Sequence, residues 1–303
     1  MRGLVRPTSD ATELQDLGIE LVRGDAFDVV SLDAASDHVG VIFNTIGGGH
    51  VSTRSSKGRA ELRDMNVSSL RNLLEVVRNK RITKLIHFSS LNAMGFQKDV
   101  ALTEDDACLP TSVHETVKRE SEELAAKYHE ECGVPIIILR PPQIYGPGDV
   151  RSENLKMAKL VKWHAFPLVD GGDNYLPLVY IDDVVECAIL AMQVGRVGET
   201  YIVSDKSSYK LKDIIREMSK NIPTQHPSIY VPKRVASLLV RLLEASSILG
   251  IEPFFTSHRI ETSTSNRFVN IEKAAKELGY EPRTDLATGM KKTIDWYKQE
   301  GFL

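Results

Sequence analysis

At 303 residues, 42% of them apolar and 26% charged, the chain can hold one large α/β domain with a smaller lobe, and its composition excludes a disordered protein. With 38 Lys and Arg against 41 Asp and Glu, the net charge of −3 argues against broad electrostatic capture of nucleic acid. Cys108, Cys132 and Cys187 lack metal-ligand spacing and make neither a zinc site nor a disulfide framework. No apolar signal segment follows Met1, and no run reaches membrane-spanning length. A cytoplasmic protein without a membrane span is the expectation.

Leu4-Val5 predicts a short strand ending on Arg6, and Pro7 to Asp10 turns into a helix that Gly18 ends. Ile19 to Val22 reads as a second strand, closed by Gly24-Asp25. A helical piece over 29–35 leads to an apolar run at 39–46, whose character suits a strand covered on both faces. Gly47-Gly48-Gly49 follows, where the backbone either admits a ligand closely or simply forms a flexible loop. Residues 61–79 predict a long amphipathic helix with Leu62, Met65, Leu70, Leu73, Leu74 and Val77 as its buried stripe.

The stretch from 82 to 138 organises the rest. An apolar strand (84–88) ends in Ser89-Ser90, a loop leads to a helix carrying His114 and Lys118, and a second β-rich run occupies 134–139. That is one crossover unit of a mostly parallel sheet. In such sheets ligands sit beyond the carboxyl ends of the strands, so Ser89, Ser90, His114 and Lys118 are expected to face one cleft. After Arg140-Pro141-Pro142 come a loop at 144–149, a helix at 155–163, a turn at 169–174, and a helix capped by Asp182 or Asp183 that runs to 194. A short strand at 201–203 closes this part. Beyond Ser204 a smaller lobe is expected: a helix at 211–220, a Pro-rich connector, an apolar helix with Val235, Leu238, Leu239, Leu242 and Leu243, and short helices at 273–278 and 286–297. The division is 1–140 with 174–203 as a Rossmann-like dinucleotide-binding domain, and 141–173 with 204–303 as a substrate-binding lobe.

Moving a hydride between an alcohol and a ketone requires a donor to the oxygen and a group that gives or takes its proton. Ser90 can supply the first. His114 and Lys118 stand four apart on one helix face, and imidazole titrates near neutrality, which suits the second. Spacing alone leaves open that His114 is a wet polar residue. Lys118 can bond a ribose hydroxyl. Arg6, at the end of the first strand, stands where an adenosine ribose is read, and a basic group there favours a 2′-phosphate, hence NADP over NAD. A plain surface arginine is the alternative. Asp25 either accepts from the adenine amine or caps the turn at Phe27. His50, His87, His129 and His258 are scattered without ligand spacing, and no Gly-x-Ser-x-Gly elbow or Gly-Lys-Ser/Thr phosphate loop occurs.

Together these residues resemble the extended short-chain dehydrogenase/reductase family, the NAD(P)-dependent epimerase/dehydratase and 3β-hydroxysteroid dehydrogenase group. The resemblance runs through Leu4-Val5-Arg6, Gly24-Asp25, Asn66-Val67, Phe88-Ser89-Ser90 with Met94-Gly95, Arg140-Pro141-Pro142 with Tyr145-Gly146-Pro147-Gly148, Tyr180-Ile181-Asp182-Asp183-Val184, and Lys273-Ala274 through Leu278-Gly279-Tyr280. It implies an α/β, Rossmann-like doubly wound parallel sheet with a small, mainly helical C-terminal substrate lobe. It further implies NADP or NAD as cofactor, a small-molecule substrate of sterol-like alcohol or nucleotide-sugar type, and a homodimer through helices 61–79 and 111–132. Ser90, His114 and Lys118 fall on the catalytic positions, and Arg6, Asp25, Ile46, Gly47, Asn66, Lys118 and Pro141 on the cofactor side.

The chain departs from the family twice. Where the family has Tyr-x-x-x-Lys, this sequence has His114-x-x-x-Lys118. The family's first strand and glycine-rich loop, about 25–30 residues, have no counterpart, which implies a truncated start. That loss splits the sheet unless the strand of Leu4 moves in to pair with that of Ile42. A catalytically impaired relative serving as a ligand-binding or interaction protein is the alternative reading.

Overall fold

The structure, a computed structural model, describes residues 1–47, 51, 53, 55–97, 99–150, 153–224, 228–238 and 264–303. The chain opens with strand β1 (Arg2–Val5), helix α1 (Thr12–Asp16), β2 (Glu20–Arg23), α2 (Val29–Ala35) and β3 (Val41–Asn44). Asp28 starts α2 by accepting from the Val30 and Ser31 N–H groups, two of the donors that a helix start leaves without partners. Helices α3 (Ser56–Arg63) and α4 (Ser69–Val77) follow, then β4 (Lys84–Phe88), β5 (Ala101–Leu102), α5 (Val113–Cys132), β6 (Ile136–Arg140) and β7 (Gln143–Tyr145). The next elements are α6 (Glu153–Lys162), β8 (Phe166–Val169), β9 (Tyr175–Leu176), β10 (Leu178–Tyr180), α7 (Ile181–Val194), β11 (Thr200–Ile202), β12 (Tyr209–Lys210) and α8 (Leu211–Asn221). Strands β13 (Ser228–Val231) and β14 (Phe268–Val269) and the helices Glu272–Leu278 and Leu286–Gln299 complete the described chain.

The central sheet is four-stranded and parallel, in the order β11-β6-β4-β3. All five residues of β6 are buried, which explains why it reads as an unbroken apolar run rather than an alternation. One face of the sheet packs Leu85, Ile136 and Ile138 against Leu62, Leu70, Leu74, Leu124 and Tyr128 of the helices α3 to α5. The other packs Ile86, Ile137 and Leu139 against Val184, Cys187 and Ala191 of α7. A further core joins Tyr145, Leu155, Leu211, Ile214, Met218, Met290, Ile294 and Tyr297. The fold is thus Rossmann-like α/β with a largely helical C-terminal region.

The sheet is split, because the strand of Leu4 does not move in to pair with that of Ile42: β1 and β2 form a separate two-stranded parallel sheet, and Leu4 joins Ile42 by packing on the same core. Other expectations are corrected. The helix expected over 61–79 begins earlier and is interrupted by a π-helical turn, Asp64–Ser68. The loop expected at 144–149 begins instead as β7, which pairs in parallel with β10. Neither Asp182 nor Asp183 caps α7, whose N-cap is Tyr180 with no side-chain bond. The Asp183 carboxylate instead accepts from the Arg283 and Thr284 N–H groups at 2.9 and 3.2 Å, tying the C-terminal segment to α7. Of the apolar helix after Pro232, residues 239 onward lie outside the described residues, as do Gly48, Gly49, His50 and His258.

Candidate functional site at the carboxyl ends of β3 and β4

Helix α5 is started by a reciprocal capping box. Ser112 Oγ accepts from Glu115 N–H at 3.3 Å, and Glu115 Oε2 accepts from Ser112 N–H at 3.0 Å and Thr111 N–H at 2.8 Å. This fixes the helix phase, sending Val117, Ser121, Leu124 and Tyr128 into the core. Lys118 then reaches the carboxyl end of β3, as a Cβ built on Gly47 demonstrates. It would lie 3.5 Å from Lys118 Nζ and 3.4 Å from Asn66 Oδ1. Three residues expected at a cofactor, from three separate elements, meet at one point. Burial pushes the Lys118 amine down to about 8, while Glu122 one turn along pulls it the other way.

Asn66 arrives there through the π-helical turn. Ser69 N–H reaches back five residues to the Asp64 carbonyl, and the buried Asn66 side chain donates its Nδ2 to the Leu62 carbonyl at 2.8 Å. The side-chain amide thus serves a carbonyl in the widened turn and leaves Oδ1 facing Gly47.

Beneath this point lies a polar pair that sequence reasoning set aside. Asn44 and His87 are register partners on β3 and β4, and both are buried. Asn44 Oδ1 accepts from Ile46 N–H at 3.2 Å, so its Nδ2 faces His87 Nδ1 at 3.1 Å. An amide nitrogen can only donate, so His87 Nδ1 accepts and the ring proton sits on Nε2. Nε2 is buried and has no hydrogen-bond partner among the described residues. Burial, with the Lys118 charge added to it, pushes the imidazole down to about 3. The available signal was positional: in a strand where Leu85 faces the helices, His87 must face them too.

Ser90 lies two residues beyond β4 in extended conformation and caps the 3-10 helix Leu91–Met94, its Oγ accepting from Asn92 N–H at 3.2 Å. The hydroxyl oxygen accepts there, and among the described residues no acceptor takes its proton. The Leu91 N–H donates to the buried Pro141 carbonyl at 2.8 Å, joining this turn to the end of β6. The same 3-10 helix packs on α5, which carries half-buried His114 in its first turn. Ser89 Oγ is buried and, among the described residues, without a partner.

Among the described residues no bond draws Arg6 or Asp25 into this cluster. Arg6 is exposed at the end of β1. Asp25 Oδ1 accepts from Phe27 N–H at 2.9 Å, so of its two expected roles the turn cap is the one seen. Among the described residues no three His, Cys, Asp or Glu side chains gather to hold a metal ion.

Three further ionisable groups lie close to the sheet. Arg140 and Glu122, both buried, make a bidentate pair at 3.0 Å (Nε to Oε1) and 2.7 Å (Nη2 to Oε2). Asp205, buried beyond the end of β11, is pushed up to about 7 by burial. The Tyr209 hydroxyl offsets part of that, and Asp183 adds to it.

Comparison with known proteins gives the family and supports the fold. The model of the NAD dependent epimerase/dehydratase family matches residues 1–204, and the chain belongs to that family. Sterol demethylase protein B of Methylococcus capsulatus is 26% identical over 313 residues, covering 100% of this chain and 92% of that protein. The sterol-4-alpha-carboxylate 3-dehydrogenase, decarboxylating, of Candida albicans is 27% identical over 252 residues, covering 78% of this chain and 71% of that one. In fold, the chain is similar to UDP-glucuronic acid 4-epimerase from Bacillus cereus, solved with UDP-glucuronic acid and NAD. The TM-score is 0.80 at 21% identity, over 99% of this chain and 91% of that one.

Proposed function

We propose that this chain is an NAD(P)-dependent oxidoreductase or epimerase-like enzyme acting on a hydroxyl or keto carbon of a sterol-like alcohol or a nucleotide sugar. The observation that carries the reading is the convergence of Gly47, Asn66 and Lys118 at the carboxyl end of β3. A glycine there lets a ring or ribose approach the backbone, and a cation and an amide oxygen offer one donor and one acceptor to vicinal hydroxyls. These residues fit the nicotinamide-ribose half of a dinucleotide. When bound, the nicotinamide gives or takes a hydride.

The chain's own residues do the rest. Lys118 holds a ribose hydroxyl and places a positive potential over the site. Ser90 donates its free proton to the substrate oxygen. His114 gives or takes the proton there, in the place of the family's phenol. Ile46 and Pro141 line the cofactor through backbone, Arg6 favours a 2′-phosphate, and Asp25 lies on the adenine side. The segments 141–173 and 204–303 bind the substrate, and two copies pair through helices 61–79 and 111–132. The sterol-linked names of two relatives that cover most of the chain support a sterol-like substrate.

Fluorescence titration with NADPH tests the reading. Saturable binding that weakens in Lys118→Met is expected. Binding without turnover of any 3-hydroxysteroid or nucleotide sugar would instead favour the ligand-binding relative, in which His114 has replaced the phenol without replacing its chemistry.

A further inference from the structure

Arg267 directly precedes β14, and its backbone is held on two sides. Its N–H donates to the Tyr175 carbonyl at 2.8 Å, and β14 pairs in parallel with β5. The neighbouring Asn266 accepts from Tyr175 N–H at 3.1 Å and donates to Asp99 Oδ1 at 2.7 Å. The guanidinium carbon then lies 5.5 Å from the centre of the Phe96 ring. Phe96 follows Gly95, which closes the turn capped by Ser90. The carboxylate that acts on Arg267 is Glu115, the neighbour of His114. Arg267 therefore stands between the loop leaving Ser90 and the first turn of the helix that carries His114 and Lys118.

Two of its three guanidinium nitrogens make no hydrogen bond among the described residues. These are Nε and Nη2, both shielded from solvent. Glu115 attracts it through space, and Glu115 Oε2 is committed to Thr111 and Ser112. Arginine does not shed its proton in the ordinary range, so the charge stays where burial disfavours it. The ring of Phe96 covers the ion without offering an acceptor.

We propose that Arg267 is an oxyanion subsite of the substrate pocket, taking a carboxylate or phosphate of the substrate on its planar fork. The fork's paired N–H groups match two oxygens of such a group. The inference rests on the cofactor reading only for its position beside the reacting carbon.

Calorimetric titration of the full chain, with and without saturating NADP, tests it with three probes: UDP-glucose, UDP-glucuronic acid and cholate. Arg267→Met should weaken binding about 10- to 100-fold for the probe whose oxyanion is read, and Arg267→Lys, which keeps the charge without the fork, several-fold. If the group is a phosphate, both nucleotide sugars lose affinity and cholate does not. If it is a carboxylate, UDP-glucuronic acid and cholate lose affinity and UDP-glucose does not. Ligand-free Arg267→Met should also melt at a higher temperature than the wild type, a gain that a merely structural arginine would not give. Binding of all three probes that is unchanged in both variants overturns the proposal, as does a wild type that binds none of them. NADPH titration of the same proteins separates the two readings. Lost NADPH binding with an intact Arg267 effect sinks only the cofactor reading, and the reverse pattern sinks only this one.

Discussion

Asn44 Nδ2 sits 3.1 Å from His87 Nδ1, and because Asn44 Oδ1 is taken by Ile46 N–H, the buried imidazole is held neutral with its proton on Nε2. Two strands thus deliver a polar pair to the base of the site, and Ile46, the last residue before Gly47, is bonded into it.

The pair makes the fold acid-sensitive. His87 has a folded pKa of about 3 against 6.5 for the free group, so the unfolded chain takes up a proton first as pH falls. The native state binds fewer protons throughout that window, and stability drops as pH falls through it. Between pH 7 and pH 5 the loss from this residue is about 2 kcal/mol. Other groups titrate in the same window, Asp205 among them, so the variant isolates the effect: on going from pH 7 to pH 5, His87→Gln should gain about 2 kcal/mol in urea-unfolding free energy relative to the wild type.

Gly47 has no side chain where one would touch both Lys118 and Asn66. Contacts of 3.4 and 3.5 Å are tolerable, so Gly47→Ala should fold with a stability change under about 1 kcal/mol. Its methyl group occupies the space assigned to the ligand, and NADPH affinity should fall about tenfold or more. Unchanged affinity in a folded Gly47→Ala protein would remove Gly47 from the site.

Asp205 works in the opposite pH direction from His87. Its folded pKa of about 7 exceeds the ordinary 3.8, so the native state takes up the proton first, and the carboxylate is a burden above pH 7 that eases toward pH 4. Asp205→Asn should therefore stabilise the chain by about 2–4 kcal/mol at pH 8 and hardly at all at pH 4, measured by denaturant unfolding.

The bidentate pair of Arg140 and Glu122 is buried on both sides. Removing one partner strands a charge, so Glu122→Gln should cost about 3–5 kcal/mol. Replacing both, as Arg140→Met with Glu122→Leu, should recover most of that loss. A double variant no better than the single one would mean that the pair contributes more than mutual compensation.

Much of this was legible in the sequence. The crossover unit from β4 to β6 and the order of helices and strands follow from period and turn chemistry, while Asn66 was set beside Gly47 and Lys118 by the family resemblance. Three features were not. The π-helical turn at Asp64–Ser68 keeps an ordinary amphipathic pattern, because one widened turn shifts the apolar stripe by a single residue. The strand at Gln143–Tyr145 is masked by Pro141 and Pro142 just before it, although its partner β10 supplies a parallel ladder. His87 was judged by its distance along the chain from other histidines, whereas its meaning lies in the register that sets it beside Asn44. Whether the strand of Leu4 moves in beside that of Ile42 or the sheet stays split was open in the sequence, and in the structure β1 pairs with β2 alone.

The central claim is that Lys118 holds a dinucleotide at the end of β3, and titration of the wild type and Lys118→Met with NADPH at pH 7 tests it most directly. Unfolding must be excluded as a cause, and the sign of the Lys118 shift does so. With a folded pKa of about 8 against 10.5, the buried ammonium costs the native state up to about 3 kcal/mol below pH 8, so Lys118→Met should be the more stable protein at pH 7. The account predicts saturable NADPH binding by the wild type and affinity at least about tenfold weaker in the better-folded variant. Equal affinity in the two proteins, or no saturable binding by the wild type, would contradict it.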